Sequence, residues 1–373
     1  MTYICYIGIE VSAKLQYALF GIEVVVLVLF SVVALVRVYT NNAVDGVSLH
    51  PSLSWYNPLN ISGFGAFSDA LLLAVFIYWG FDTALSINEE TKDSRKTPGK
   101  AAVIAVFVLL AIYMLVSTAT VAIAGVKDTG IGLSNPENSD DVFSVLGHVV
   151  FGNSWVGTFA VHLLLLMILS SAAASTLTTI LPTARTTLSM AVHKAIPAKF
   201  ATVSAKHMTP TWSTFGMGIA SIVFYVALTA LGNGNVLGDT IASIGLSIAF
   251  YYGMTGFTCP VFYRHYLLKS PRHFFMRGVV PFLGGLILLA AFIRAATDYW
   301  APDYGNTSWA MPFSPNWVIG GTFLTGVGAL LLGVVLMIIT WVFMPPYFRG
   351  ESLPKRSAEQ IAQYVVPEEL KNT

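Results

Sequence analysis

Two acidic residues lie inside apolar stretches of this chain: Asp82, in FSDALLLAVFIYWGFDTALSIN from Phe67, and Glu23, in AKLQYALFGIE from Ala13. The run from Ser68 to Trp79 reaches about 18 Å if helical, more than half of a hydrocarbon core roughly 30 Å thick. Gly80 and Asp82 come at that depth. Glycine relaxes the backbone, and a carboxylate in mid-membrane must face protein or water rather than lipid. Unwound backbone there is tolerated only beside a cavity, and broken helices at the midplane hold small zwitterions and ions in many secondary transporters. The competing reading keeps the helix continuous and pairs Asp82 with a neighbouring helix.

Glu23 falls about 12 Å into its own stretch. An ionised carboxylate at a helix centre costs on the order of 3 kcal/mol, so Glu23 is expected to be protonated, paired or beside water. It could couple protons or bind an ion, or simply make one interhelical hydrogen bond. SSAAASTLTT (Ser170–Thr179) offers small residues for close packing and hydroxyl oxygens for a cation, with Ser170 and Ser171 foremost. Tyr251 and Tyr252 are candidates to line a cavity. His162 is expected to be structural, and a His162–Ser170 nucleophile pair lacks an evident base and oxyanion site. No GxGxxG, Walker, HExxH or GxSxG motif is present, so no enzyme chemistry and no cofactor is expected. Cys5 and Cys259 have no metal-ligand spacing, and no metal site is expected.

Positioning these residues requires membrane helices. Of 373 residues 55% are apolar and 10% charged, and mean hydropathy is +0.70. Soluble domains carry nearer 25% charged residues, which excludes an ordinary soluble enzyme. A net charge of +1 offers no basic face to nucleic acid. Eight stretches are predicted as membrane helices, labelled A to H: Leu15–Tyr39, Gly65–Asn88, Lys100–Val126, Trp155–Leu181, Trp212–Leu231, Thr240–Phe262, Gly278–Thr297 and Val318–Phe343. All of the 20 Lys and Arg residues except Arg37, Lys127 and Arg294 then fall on one side. That side, with both chain ends, is expected to be cytoplasmic. Trp55, Tyr56, Trp155, Tyr299, Trp300 and Trp317 gather near the other ends as interfacial anchors. Asp141–Gly152 and Pro182–Ala195 are predicted as short surface helices, and GNGNVLG (Gly232–Gly238) as an outer loop. The transporter domain is expected over 11–344, after the end of a helix at 1–10 and before a polar cytoplasmic tail at 345–373.

Gly80-Phe81-Asp82 followed by EETKDSRKTPGKA (Glu89–Ala101) resembles a signature of amino acid permeases in the amino acid–polyamine–organocation superfamily. PTARTTLSMAVHKAIPAKFATVSAKHMTPTWST (Pro182–Thr214), with Arg185, Pro197 and Thr209-Pro210, is similar to the stretch after that family's eighth helix. AKLQYALFGIE looks like the start of its fifth. The resemblance implies an all-α membrane protein with a partial LeuT-type fold of inverted five-helix repeats, stretches A to H matching family helices five to twelve. It implies amino acid or related amine transport across the plasma membrane by proton-coupled symport or exchange. Tyr78, Trp79, Gly80, Phe81 and Asp82 would line the substrate site and gate. Several family members have a coupling lysine where this chain has Glu23, which leaves the choice between proton and sodium open. Ser170 and Ser171 fall near the family's sodium site. The family's first three helices are expected to be missing, with Thr2–Ile9 the end of the fourth, so a partner supplying them, or a homo-oligomer, is expected. A non-transporting permease-like sensor or subunit is the alternative.

Overall fold

The computed structural model describes residues 1–351 except 45, 62, 87–90, 92, 95 and 139–140, together with their side chains apart from those of 9, 64 and 233. Glu89, Glu90, Lys92 and Arg95 of the EETKDSRKTPGKA motif and all of the tail from 352 therefore lie outside the described residues.

The chain is almost entirely helical. A short α1 (Thr2–Ile7) turns at Gly8 into α2 (Ile9–Tyr39), followed by α3 (Gly63–Ile77), α4 (Thr83–Ser86) and α5 (Thr97–Ala124). Next come α6 (Val142–Phe151), α7 (Trp155–Val192), α8 (Thr211–Ala230) and α9 (Asn235–Phe262). A single turn, α10 (Pro271–His273), runs through the π-helical Phe274–Val279 into α11 (Val280–Tyr299). Strands β1 (Ser308–Met311) and β2 (Ser314–Gly320) pair antiparallel before α12 (Gly321–Phe343) and the short α13 (Pro345–Phe348). Among the described residues seven helices are long and apolar enough to cross a bilayer, and α3, interrupted at Ile77, is a shorter apolar arm. The protein is an integral, multi-pass membrane protein.

Several boundaries differ from the sequence expectation. Pro182 does not end the helix before it: α7 continues to Val192, and Pro182–Ala195 is no separate helix. Proline inside a helix removes one hydrogen bond, and hydroxyls of Thr178, Thr179, Thr183 and Thr187 bond carbonyls of the preceding turn along this segment. The Gly-rich Gly232–Gly238 is a 3-10 turn followed by the first turn of α9. Val318 belongs to β2 and not to a membrane helix, because residues 314–320 find backbone partners in β1. The short helix predicted at Asp141–Gly152 is present as α6, where the Asp141 carboxylate accepts from Ser144 N at 3.0 Å.

Two apolar cores organise the bundle. One joins α2, α5, α6 and α7 around Phe30, which is fully buried and packs edge-on against Phe143. The other joins α3, α9, α11 and α12 around Leu72, Leu246 and Ala295. Glycines let α9 and α11 touch: a Cβ on Gly256 would lie 2.7 Å from the Pro281 carbonyl oxygen and 3.1 Å from Gly285. Such small-residue contacts replace the hydrophobic drive that lipid removes. Helix α3 packs on α9 and α11, whereas α4 packs on α5 and α7. The five residues between them therefore pass from one core to the other.

Candidate functional site: the break between α3 and α4

Regular hydrogen bonding stops just after Ile77. Tyr78 N still reaches Ala74 O and Trp79 N reaches Phe76 O, and the next backbone bond is Thr83 N to Gly80 O. Gly80 has φ 109°, a conformation glycine adopts without Cβ strain, and no atom lies within 4 Å of where its Cβ would be. The glycine is thus required by the turn and not by crowding. Among the described residues the amides of Gly80, Phe81 and Asp82 donate to no backbone carbonyl. The Asp82 carbonyl restarts the helix by accepting from Leu85 N at 2.9 Å and Ser86 N at 3.1 Å.

Side chains from three other helices surround this opening. Tyr251 of α9 donates its hydroxyl to Asp82 Oδ2 at 3.3 Å. The Tyr252 ring packs 4.4 Å from Tyr251 and 5.4 Å from Phe81. The Tyr252 hydroxyl is buried and satisfies no hydrogen bond among the described residues, its nearest polar neighbours being the Tyr251 hydroxyl and the Gly80 backbone. On the other flank Tyr113 of α5 donates to the Ile77 carbonyl at 2.7 Å and stands edge-on to Tyr78 at 5.4 Å. That bond takes up one of the carbonyls freed at the end of α3. Glu23 of α2 lies in the electrostatic neighbourhood of Tyr113.

The structure therefore brings Tyr78, Gly80, Phe81, Asp82, Tyr251 and Tyr252 together, with Glu23 behind Tyr113. Trp79 is at the same turn, partly exposed, with its side chain near the Tyr251 hydroxyl. Ser170 is not drawn to this group: its buried hydroxyl donates to Met167 O at 2.8 Å within α7, beside the first core. Ser171 makes no side-chain hydrogen bond among the described residues. His162 bonds Thr158 O in its own helix at 2.7 Å, a structural contact. Tyr113 was missed by sequence reasoning, since one tyrosine in an apolar helix carries no signal of what it faces. A cavity of about 430 Å³ between α11 and α12 is lined by apolar groups such as Phe292, Trp300 and Phe323 and does not touch the break.

The structure is thus a multi-pass helical protein with one apolar arm interrupted beside an aspartate and two tyrosines. Comparison with known proteins gives the family: the model for "Amino acid permease" matches residues 1–324, and the chain belongs to it. It is 25% identical over 256 residues to the branched-chain amino acid permease BcaP of Bacillus subtilis (strain 168), covering 67% of this chain and 49% of that protein. It is 27% identical over 199 residues to the vacuolar cationic amino acid transporter 4 of Arabidopsis thaliana, covering 53% of this chain and 29% of that one. The chain thus spans half or less of the length of these relatives.

Proposed function

We propose that this chain forms part of a secondary active amino acid transporter, with the substrate bound at the 78–82 break and the family's earlier helices needed to complete it. The observation that carries the reading is the chemistry left unsatisfied there. Three backbone amides without backbone partners suit a carboxylate, while Asp82 has acceptor capacity left for an ammonium group. The buried, unpaired Tyr252 hydroxyl adds a third polar group. Together they complement a zwitterion, and an unsatisfied buried group gains most when a ligand supplies its partner. The names of the two relatives, one for branched-chain and one for cationic substrates, support the class without choosing within it.

In this reading α3–α4 is an eighth, broken membrane segment, and the bundle is the LeuT-type arrangement from its fifth helix onward. The break is then the joint on which one core moves against the other, as in the gating of a repeat or bundle around a fixed site. Both described ends lie on the cytoplasmic side of the plasma membrane, where the basic residues gather. Glu23 couples protons: it lies near Tyr113, which holds the Ile77 carbonyl at the break. Ser170 and Ser171 are left as the candidate ion-site hydroxyls if sodium is used.

Reconstitution into proteoliposomes, with the family's preceding helices supplied, tests this. Saturable uptake of labelled leucine or lysine driven by an imposed inward proton gradient is expected, and Glu23→Gln flattens its pH dependence. Absence of saturable uptake for every amino acid and polyamine overturns transport, and substrate binding without uptake favours the sensor or subunit reading. A pH profile unchanged by Glu23→Gln removes that residue from coupling.

A further inference from the structure

A second cavity, about 250 Å³, opens between α3, α9 and the end of α11. Its lining includes Asp69, Leu72 and Phe76 of α3, with Tyr299 and Tyr304 closing one side. Phe76 is the residue before Ile77, so the floor of this cavity adjoins the break without including any of its polar residues. The two phenol rings stand 4.6 Å apart, tilted by 33°. Asp69 makes no hydrogen bond or ion pair among the described residues, yet it acts electrostatically on both phenols. Burial pushes the Tyr304 phenol above its ordinary value, so the ring is neutral at physiological pH. Asp298 also acts on both phenols, and it is held by Arg294 at 2.9 Å. Asp69 is thus the carboxylate lining this cavity that has no bonded partner among the described residues.

We infer that this cavity is a second binding site, separate from the break, for small organic ammonium groups carrying a short apolar body. The carboxylate attracts the cation, the faces of Tyr299 and Tyr304 add a cation–π contact, and Leu72 and Phe76 receive the apolar part. The volume lies below the range of drug-sized pockets, which limits the ligand to a handful of heavy atoms. A free carboxylate on the ligand would meet Asp69 unfavourably, so simple amines are preferred over acids of the same shape. Ligands held here stand one residue from the break, and the site would collect amine-bearing molecules next to it.

Isobutylamine, with isobutanol and isobutyrate as controls, tests the inference on the whole chain in lipid nanodiscs. Saturable binding of isobutylamine is expected below roughly 50 mM, where a ligand of this size binds at ordinary efficiency. It should weaken about tenfold in Asp69→Asn and in Tyr304→Ala, and far less in Tyr304→Phe, which keeps the ring. Asp82→Asn, which alters the break, should leave this binding in place, so failure here and failure of transport at the break are told apart. A 3-fluorotyrosine resonance of Tyr304, assigned through Tyr304→Phe, should shift during titration of the otherwise unaltered chain. That reading needs only the conservative Tyr304→Phe protein to fold, for the assignment. No saturable binding, equal binding of isobutanol, unchanged affinity in Asp69→Asn, or a Tyr304 resonance that stays still would each overturn the site.

Discussion

Asp239 and Asp82 are both aspartates within the helical bundle, and the fold treats them in opposite ways. Asp239, on the first turns of α9, is fully buried, and its carboxylate accepts from Asn306 N at 2.6 Å, Thr307 N at 2.9 Å and Thr322 Oγ1 at 3.2 Å. The Thr307 hydroxyl supplies a fourth bond. A carboxylate offers about four lone-pair positions, so this one is saturated. It ties the loop after α11 and the start of α12 to α9. Asp82 is only half-buried and accepts one bond, from Tyr251. A saturated buried carboxylate is part of the fold, whereas an undersatisfied one beside amides without backbone partners among the described residues has capacity for a ligand.

The largest effect that can break this contrast is in stability. Asp239→Ala should lower it by about 3–5 kcal/mol, because the substitution leaves several buried donors without an acceptor. Thermal unfolding in detergent micelles reads this directly, and an unchanged midpoint would mean the carboxylate is not a staple. Asp82→Asn should do the reverse. Its melting curve should stay within about 0.5 kcal/mol of the parent, while uptake falls roughly 10- to 100-fold, the loss expected when a charged hydrogen-bond acceptor is neutralised. If Asp82→Asn melts as early as Asp239→Ala, the distinction between the two sites is lost.

These two aspartates also mark how far the sequence is legible. Asp82 can be read because it interrupts an apolar run next to a glycine, at a depth the bilayer makes costly. The break then appears where that cost predicts it, between Ile77 and Thr83. Helices such as α5, α8 and α12 are legible for the same reason, since the bilayer fixes the length of any apolar span. Asp239 cannot be read: its partners lie 67 to 83 residues away, on a loop and a helix end with no shared pattern. The hairpin of β1 and β2 hides similarly, its WVIG being as apolar as the helix that follows. At Pro182 local propensity points the wrong way, because only the structure shows α7 continuing beyond it. Tyr113 is invisible until α5 is placed beside the end of α3.

Gly80→Ala sharpens the comparison by changing the backbone of the break and none of its charges. With nothing within 4 Å of the new methyl, the cost is conformational, about 1–3 kcal/mol for a φ of 109°. The expected outcome is a lower melting temperature with reduced uptake, and a substitution that changes neither would mean the turn is not held in this conformation.

The smallest effect is the most specific, because it predicts a difference of sign between adjacent tyrosines. Tyr251→Phe deletes the one hydroxyl that bonds Asp82, and ligand-free stability should fall by about 0.5–1.5 kcal/mol. Tyr252→Phe deletes a buried hydroxyl with no partner among the described residues, and stability should hold or rise by up to about 1 kcal/mol. Affinity for the transported amino acid should nonetheless drop several-fold, about 3- to 10-fold, since that hydroxyl gains its partner only when the site is filled. Melting curves with and without substrate separate the two terms: the parent should be stabilised by ligand more than Tyr252→Phe is. Two substitutions that both destabilise, or a Tyr252→Phe protein that binds as tightly as the parent, would show that the hydroxyl serves packing and that the break holds no polar group in reserve.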